Sequence, residues 1–276
     1  FFLLRDTIFS SVLVDRQNTQ QPWLVYTGEM SLDDYQNTIP FTKEQLATIQ
    51  KKLDQLQSRL NERNIKFYLV ITPSKNTIYP EFFPSEIPII GTESRLDQLI
   101  KYQKNFGQLQ IIDLRDALFL TKQTNSVYYA TDSHWNEYGA YIGYYQIASD
   151  LQADFPEIQP FDIDDYELVH EEFETGDLSK MLGQLKLSEG VISFHPTYQS
   201  QVSSFDTSID GKDYVITTQP DSHLPTVVVF RDSFFTALIP YLSEHFSRAV
   251  YVWSFDYDED LIEKEKPDIV IIECNE

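Results

Sequence analysis

Ser233 occupies a position in the sequence where a serine hydroxyl could act as a nucleophile. It follows the apolar segment TVVVF at 226–230, typical of a buried strand, and precedes an apolar, helix-compatible run at 234–242. A serine between a parallel strand and a helix projects at the sheet edge where ligands bind in open α/β folds. Its backbone N–H and the positive end of that helix could stabilise a tetrahedral oxyanion. The alternative is structural, because serine is also a common N-cap residue.

A base for Ser233 would come from one of five histidines, and His134 has the most suggestive surroundings. It lies in TDSHW at 131–135, with Asp132 two positions before it. In a loop, this spacing allows the carboxylate to hold the imidazole in one tautomer. The pair could equally be a half-exposed loop feature or two ligands of a metal site. No third ligand of obvious spacing follows, so we predict no metal site. The remaining histidines are predicted to be surface or capping residues: His170, His195, His223 and His245.

The hydrophobic pattern predicts the scaffold that must position these residues. Between 42 and 60, apolar residues recur at spacings of three and four behind a Thr42–Gln45 capping box, which predicts a helix. Helices are also expected from about Ser94 and from Asn136. Apolar runs without alternation indicate strands covered on both faces, and they occur at 66–71, 226–230, 249–253 and 268–272. Strands separated by helices imply a mostly parallel sheet in a single α/β domain over 1–276.

One region breaks this alternation of strands and helices. From about 156 to 222 the sequence carries scattered prolines and a stretch rich in Ser, Thr and Asp. We predict an insertion there, with short antiparallel strands.

The composition limits the possible functions. The chain carries 21 basic and 43 acidic residues, a net charge of -22, which argues against nucleic-acid binding. The same acidity suits a neutral glycan or a small acyl donor better than a polyanion. Cys274 is the only cysteine, so an internal disulfide is impossible. No stretch approaches the length of a membrane span.

The chain begins without Met, on the apolar run FFLL at 1–4. This start is either an arbitrary fragment boundary or the point just after an N-terminal anchor or signal.

Several segments, in order along the chain, resemble the SGNH-hydrolase-like domains of the AlgJ, AlgX and DHHW group, bacterial enzymes of exopolysaccharide O-acetylation. An Asp-x-His-Trp motif at 132–135 and an Asp-Ser-Phe motif at 232–234 carry most of the resemblance. Supporting segments are PWLVY at 22–26, TPSK with YPE between 72 and 81, GDL and MLG between 176 and 183, and KPD at 266–268. The matches cover nearly the whole chain, although Pro22 replaces the group's usual glycine.

The resemblance implies an SGNH-hydrolase-like three-layer α/β domain with a catalytic triad. In it, Ser233 takes up the acetyl group, His134 serves as general base and then as general acid, and Asp132 orients His134.

The resemblance also marks three residues as candidates for substrate binding. Trp135 is expected to pack beside the site. Arg231 stands where many SGNH enzymes have glycine, so its side chain is expected either to contact substrate or to point to solvent. Lys75 is a candidate residue next to the site.

The activity implied by the resemblance is cofactor-independent O-acetyl transfer to an extracellular or cell-surface polysaccharide through an acetyl-serine. A membrane-bound O-acyltransferase partner would supply the acetyl group, and the protein would be anchored outside the cytoplasm. The same residues would serve a carbohydrate acetylesterase, because either water or a sugar hydroxyl can release the acetyl group. A catalytically silent glycan-binding or assembly protein is a further alternative, although such a protein has no need of Ser, His and Asp together.

Overall fold

The computed structural model describes residues 12–15, 22–28, 30–83, 85–183, 186–209 and 211–276. The strands in these ranges are β1 (Val12–Asp15), β2 (Trp23–Tyr26), β3 (Lys66–Thr72), β4 (Ile111–Asp113), β5 (Tyr166–Phe173), β6 (Glu189–Pro196), β7 (Ser203–Ile209), β8 (Lys212–Thr218), β9 (Thr226–Arg231), β10 (Arg248–Trp253) and β11 (Ile269–Asn275). The α-helices are α1 (Ser31–Tyr35), α2 (Lys43–Asn61), α3 (Lys75–Ile78), α4 (Arg95–Phe106), α5 (Arg115–Thr121), α6 (Glu137–Gln152), α7 (Asp177–Met181), α8 (Ile239–Leu242) and α9 (Glu259–Glu265).

Seven strands form the central sheet, in the order β4-β3-β11-β9-β10-β8-β7. The first five in this order pair in parallel, while β8 and β7 add an antiparallel edge. Strand β9 lies between β11 and β10, so the segment after it emerges at the carboxyl edge of the parallel part. The predicted mixed α/β fold with a mostly parallel sheet is confirmed.

Helices cover both faces of this sheet, which explains the continuous apolar strands. Along β9, Val227 and Val229 pack into a core that also contains residues of α5, α6 and α8. Val228 and Phe230 point the other way, into a core completed by residues of α2, α4 and α9. The sheet therefore lies between two helical layers.

Two predicted helix starts are confirmed by their caps. The Thr42 side chain accepts a hydrogen bond from the Gln45 N–H, and the Gln45 side chain accepts one from the Thr42 N–H, so the capping box at the start of α2 is complete. Asn136 caps α6 by accepting from the Gly139 N–H. Both caps satisfy backbone donors that the first helical turn leaves unpaired.

The region predicted as an insertion contains two antiparallel pairs, and only one of them stands apart from the central sheet. Strands β5 and β6 form a separate two-stranded sheet. Strand β8, by contrast, pairs with β10 and brings β7 with it into the central sheet. In the chain, the short helix α7 comes between β5 and β6.

The prediction that every other histidine is a surface or capping residue is wrong for His245. Its side chain is buried, and Nε2 is 2.8 Å from the Tyr144 hydroxyl. Burial lowers the pKa of His245 to about 4, so this imidazole is neutral. His170, His195 and His223 are exposed, as predicted.

The apolar start at 1–4 lies outside the described residues. Within the described ranges, no helix is both long and apolar enough to cross a bilayer.

Candidate active site

Ser233 follows β9, and its conformation depends on the residue before it. The Asp232 carboxylate accepts hydrogen bonds from the N–H groups of Phe234 (2.8 Å) and Asn275 (2.8 Å), which fixes the turn after the strand. Ser233 itself makes no side-chain capping bond. The capping alternative for this serine is therefore wrong, because Asp232 satisfies the donor. The Ser233 hydroxyl is left available for another partner.

That partner is His134. The distance from His134 Nε2 to Ser233 Oγ is 2.8 Å, although the two residues are 99 positions apart in sequence. On the other side of the ring, Nδ1 lies 2.7 Å from Asp132 Oδ1. The same oxygen accepts from the His134 backbone N–H at 2.9 Å. Asp132, His134 and Ser233 thus form a continuous hydrogen-bonded series, which can move a proton from the serine to the imidazole.

The electrostatics of this series favour a basic imidazole. Burial alone would lower the pKa of His134, but the hydrogen bond that His134 donates to Asp132 and the nearby carboxylates outweigh burial and raise that pKa. Burial would likewise raise the pKa of Asp132, yet hydrogen bonds from His134 and from the Asp177 N–H lower it to about 2. Asp132 is therefore ionised at neutral pH and stabilises a protonated imidazole.

Ser233 also presents a backbone N–H toward the same edge of the sheet. In the described part of the chain, this N–H donates no hydrogen bond. The run 234–242, predicted to be compatible with a helix, is helical but begins as a five-residue 3-10 helix, Phe234–Leu238, which the short helix α8 follows. The contribution expected from the positive end of a helix is correspondingly small, so the N–H is the oxyanion donor that this turn offers.

Asp177 is a site residue whose role the sequence did not reveal. Its carboxylate accepts from the Ser133 N–H at 2.7 Å and from the Ser133 hydroxyl. Its backbone N–H donates to Asp132 Oδ2 at 2.8 Å. In the sequence, the GDL segment carries only a family resemblance, but its glycine has a physical reason. A Cβ on Gly176 would collide with the Thr131 backbone, so only glycine lets this segment approach the loop.

Glu189, at the start of β6, also binds the loop that carries Asp132 and His134. Its buried carboxylate accepts from the N–H groups of Ala130 (2.6 Å) and Thr131 (2.9 Å) and from the Thr131 hydroxyl (2.6 Å). Both Asp177 and Glu189 come from the predicted insertion. That region therefore supports the Asp-x-His loop, which is a role that spacing alone did not predict.

Lys75 and Trp135 lie next to the site, and both are buried. The Lys75 ammonium donates to the carbonyls of Leu24 (2.6 Å), Ala130 (3.1 Å) and Asp132 (2.8 Å). Burial lowers the pKa of Lys75 to about 7, while three carbonyl acceptors match the three donors of the charged form. Trp135 donates from its indole N–H to the Phe234 carbonyl, as a buried support.

The expectation that Arg231 contacts substrate or points to solvent is corrected by its burial. Only 3% of the residue is exposed. Its guanidinium donates to the Asp232 carbonyl (3.0 Å) and the Thr236 hydroxyl (2.8 Å), and lies 4.5 Å from the centre of the Trp253 ring. The side chain folds back because these acceptors and the ring lie at the same edge of the sheet.

Glu273 is a buried acid that contacts the turn after β9. Its carboxylate bonds to the Thr72 hydroxyl (2.7 Å) and accepts from the Asp232 N–H (3.1 Å). Burial, together with the neighbouring Asp232 carboxylate, raises the pKa of Glu273 to about 8. The group is therefore largely protonated at neutral pH, which lessens repulsion between the two acids.

The structure supplies the third ligand that the sequence lacked for a metal site. Ligand atoms of Asp132, His134 and Asp177 lie within 4.8 Å of one another and could together hold a divalent cation. Both ring nitrogens of His134 already have partners, however. A metal on Nδ1 would replace the bond to Asp132, so the geometry favours proton transfer.

A cleft of about 360 Å³ opens beside this series, lined by Ser133, Asp232, Phe234 and Phe255 among others. It gives a small substrate access to the carboxyl edge of the sheet, where Ser233 lies.

Sequence comparisons relate the chain to O-acetylation proteins. Residues 18–255 match the family described as "SGNH hydrolase-like domain, acetyltransferase AlgX". A curated relative, "Probable alginate O-acetylase AlgJ" from Pseudomonas aeruginosa, is 29% identical over 108 residues, which make up 39% of this chain and 26% of the relative. The match thus spans about a quarter of that relative's length.

Solved structures share the fold. PatB1 from Bacillus cereus has a TM-score of 0.68 at 19% identity, covering 98% of this chain and 95% of PatB1. A DHHW family protein from Eubacterium siraeum has a TM-score of 0.69 at 15% identity, covering 99% of this chain and 93% of that protein.

The family match extends over most of the chain and includes all three residues of the hydrogen-bonded series. The chain belongs to the family of SGNH hydrolase-like domains described as acetyltransferase AlgX.

Proposed function

We propose that the protein is a serine-dependent O-acetyltransferase that moves an acetyl group to a polysaccharide hydroxyl through acetyl-Ser233. The observation that carries the proposal is the hydrogen-bonded series from Asp132 through His134 to Ser233 at the carboxyl edge of the sheet. Membership of an acetyltransferase family supports acetyl as the group transferred.

In the first half-reaction, Ser233 Oγ attacks the carbonyl carbon of an acetyl ester donor, and its proton passes to His134 Nε2. The Ser233 N–H stabilises the oxyanion. Collapse of the tetrahedral intermediate breaks the bond to the donor oxygen, which leaves with the proton from His134. The product is acetyl-Ser233.

In the second half-reaction, an acceptor hydroxyl attacks acetyl-Ser233 while His134 Nε2 takes its proton. The new ester forms as the Ser233 oxygen leaves, and that oxygen regains the proton from His134. Water in place of the sugar hydroxyl would give an acetylesterase, so the outcome depends on whether an acceptor is held beside the acyl-enzyme.

The location and the partner belong to the same proposal. Acetyl groups for a polymer outside the cytoplasm must cross the membrane, and a membrane-bound O-acyltransferase is the class of protein that would supply them. The protein would then act outside the cytoplasm, held near that partner.

The test begins with hydrolysis of p-nitrophenyl acetate. We expect Ser233→Ala and His134→Ala each to lower the rate by about 10³-fold or more, while Ser85→Ala, at an exposed serine, leaves it unchanged. A serine-directed phosphonate should label Ser233 in the wild type. If the protein shows no hydrolysis and Ser233 is not labelled, the enzyme is rejected and a silent glycan-binding protein is favoured.

A glycan oligomer added to the same reaction separates transfer from hydrolysis. Acetylated oligomer, detected by mass spectrometry, is the expected product, whereas acetate alone would identify an esterase. Treatment with EDTA should leave the rate unchanged. A loss of activity that Zn²⁺ restores would instead assign the Asp132, His134 and Asp177 cluster to metal chemistry.

A further inference from the structure

Two large aromatic side chains are exposed at the edge of the sheet that carries Ser233. Trp253 ends β10 with 48% of its surface exposed, and Phe255 follows with 65% exposed. Strand β10 pairs in parallel with β9, and the register places Trp253 opposite Arg231, two positions before Ser233. Large aromatics are normally buried against a core, so two of them together at a candidate active site need an explanation.

Trp253 is held in place from one side. The buried Arg231 guanidinium lies 4.5 Å from its ring centre and is itself fixed by the Asp232 carbonyl and the Thr236 hydroxyl. A ring supported in this way loses little conformational entropy when a ligand binds. The exposed part of the indole therefore forms a preorganised apolar surface, while Arg231 acts only by supporting it.

Phe255 lies two residues after Trp253 in the chain and lines the cleft. It lines the same cleft as Ser133, Asp232 and Phe234, the residues that flank His134 and Ser233 in sequence. A ring-shaped ligand on Phe255 would present its edge to that cleft. Sugar rings suit such a surface, because their C–H groups carry partial positive charge and pack against the negative face of an aromatic ring.

The charges around the cleft define which sugars fit. The cations among the described residues that line it are Lys75 and Arg95. Lys75 is buried against three carbonyls, and Arg95 forms an ion pair with Asp34 at 2.5 Å. Asp177 and Glu276 add carboxylates nearby, and the whole chain has a net charge of -22. A sugar carboxylate would find repulsion there and no cation left to pair with.

We infer that the acceptor is a polysaccharide of uncharged sugars, whose rings stack on Trp253 and on Phe255 beside the acyl-enzyme. The inference rests on the proposed acetyl transfer and adds the class of acceptor. It separates this chain from a protein acting on a polyuronate such as the alginate in the names of its curated relatives.

Comparison of the acetylation rates of two acceptors of equal length tests the charge argument. Acetyl transfer from p-nitrophenyl acetate is measured to a neutral oligosaccharide, cellohexaose, and to hexameric oligomannuronate. We expect the neutral oligomer to be acetylated at least about tenfold faster at low salt. Equal or faster acetylation of oligomannuronate would overturn the inference.

Substitutions test the aromatic surface. Trp253→Ala and Phe255→Ala should each raise the KM for the neutral acceptor by about fivefold or more, and this rise should exceed any change in hydrolysis of p-nitrophenyl acetate. Trp253→Phe should restore most of the affinity. Phe205→Ala is the matched control, because Phe205 is also exposed but lies on β7 at the far edge of the sheet. An acceptor KM that is the same in all variants would overturn the inference.

Direct binding keeps this test separate from the proposed function. Titration of Ser233→Ala with cellohexaose should change the tryptophan fluorescence, because Trp253 is exposed whereas Trp23 and Trp135 are buried. This change in fluorescence should be lost in the double variant that carries both Ser233→Ala and Trp253→Phe. No binding of the neutral oligomer would reject the acceptor surface. Binding without any acetyl transfer or Ser233 labelling would retain that surface and reject the enzyme.

Discussion

The backbone N–H of Asp177 donates a 2.8 Å hydrogen bond to Oδ2 of Asp132. Because Asp132 Oδ1 holds His134, Asp177 fixes the free side of the carboxylate that orients the imidazole. The Asp177 carboxylate in turn accepts a hydrogen bond from the N–H of Ser133, which lies between Asp132 and His134 in the sequence. The GDL segment and the Asp-x-His loop therefore behave as one unit, although they are separated by more than forty residues in the chain.

Substitution of Asp177 should alter both the pKa of His134 and the position of its loop. Asp177→Asn retains an acceptor for the Ser133 N–H but removes a charge that raises the His134 pKa. We expect the acidic limb of the pH–rate profile to move to lower pH, with a plateau within about threefold of wild type. Asp177→Ala also loses the loop contact, and its plateau should fall about tenfold.

The pH profile itself distinguishes this effect from a general loss of structure. Asp164→Asn, at an exposed acid on a short 3-10 helix, is the matched control and should leave the profile unchanged. If Asp177→Asn left the acidic limb where it is in the wild type, the electrostatic role of Asp177 would be rejected.

Hydrolysis of p-nitrophenyl acetate should rise with pH through the ionisation of His134. His134 must be neutral to accept the serine proton. The hydrogen bond to Asp132 and the charge of Asp132 outweigh burial and raise the pKa of His134 above 6.5. The midpoint of kcat/KM against pH is therefore expected above 6.5. Asp132→Asn should lower that midpoint and reduce the plateau by about 10²- to 10⁴-fold. A wild-type midpoint at or below 6.5 would contradict the arrangement.

Loss of Glu189 should destabilise the protein and disorder the Asp-x-His loop. Glu189→Ala leaves the buried N–H groups of Ala130 and Thr131 without an acceptor. Because each buried unsatisfied donor costs about 1–3 kcal/mol, we expect the free energy of unfolding to fall by about 2–4 kcal/mol. Urea denaturation measures this change. Glu167→Ala, at an exposed glutamate on β5, should change stability by less than about 0.5 kcal/mol.

Glu273 should make the stability depend on pH. Its pKa rises on folding from an ordinary 4.5 to about 8, so the folded state holds a proton that the unfolded state releases. Its contribution is therefore fully present below pH 4.5 and is lost as the pH rises toward 8. Glu273→Gln mimics the protonated form and should reduce the loss of unfolding free energy between pH 5 and 8 by about 1 kcal/mol or more.

Denaturation at several pH values checks this prediction for Glu273. Glu174→Gln, at an exposed position, should follow the wild-type curve. A Glu273→Gln variant with the same pH dependence as wild type would show that Glu273 is ionised in the folded protein.

The local pattern of the sequence was sufficient for the parallel part of the sheet and its helices and for identifying the candidate residues, but not for the antiparallel edge that β8 and β7 add to the sheet. Apolar runs such as 226–230 require burial on both faces, and the Thr42–Gln45 pair defines a helix start through contacts three residues apart. These features depend on neighbours in the chain, so they can be recognised without a structure. The candidates Ser233, His134 and Asp132 followed from residue type, position after a strand, and a spacing of two.

Only the tertiary structure decided how those residues act together and what surrounds them. The contact between His134 and Ser233 spans 99 residues, and residue type could not tell that Asp232, and not Ser233, caps the turn. The burial of Lys75 and Arg231 likewise depends on carbonyls and a ring that long-range packing brings to one edge. Sequence thus determined which groups could perform acyl transfer. Their distances, protonation and exposure were set by the packing of segments far apart in the chain.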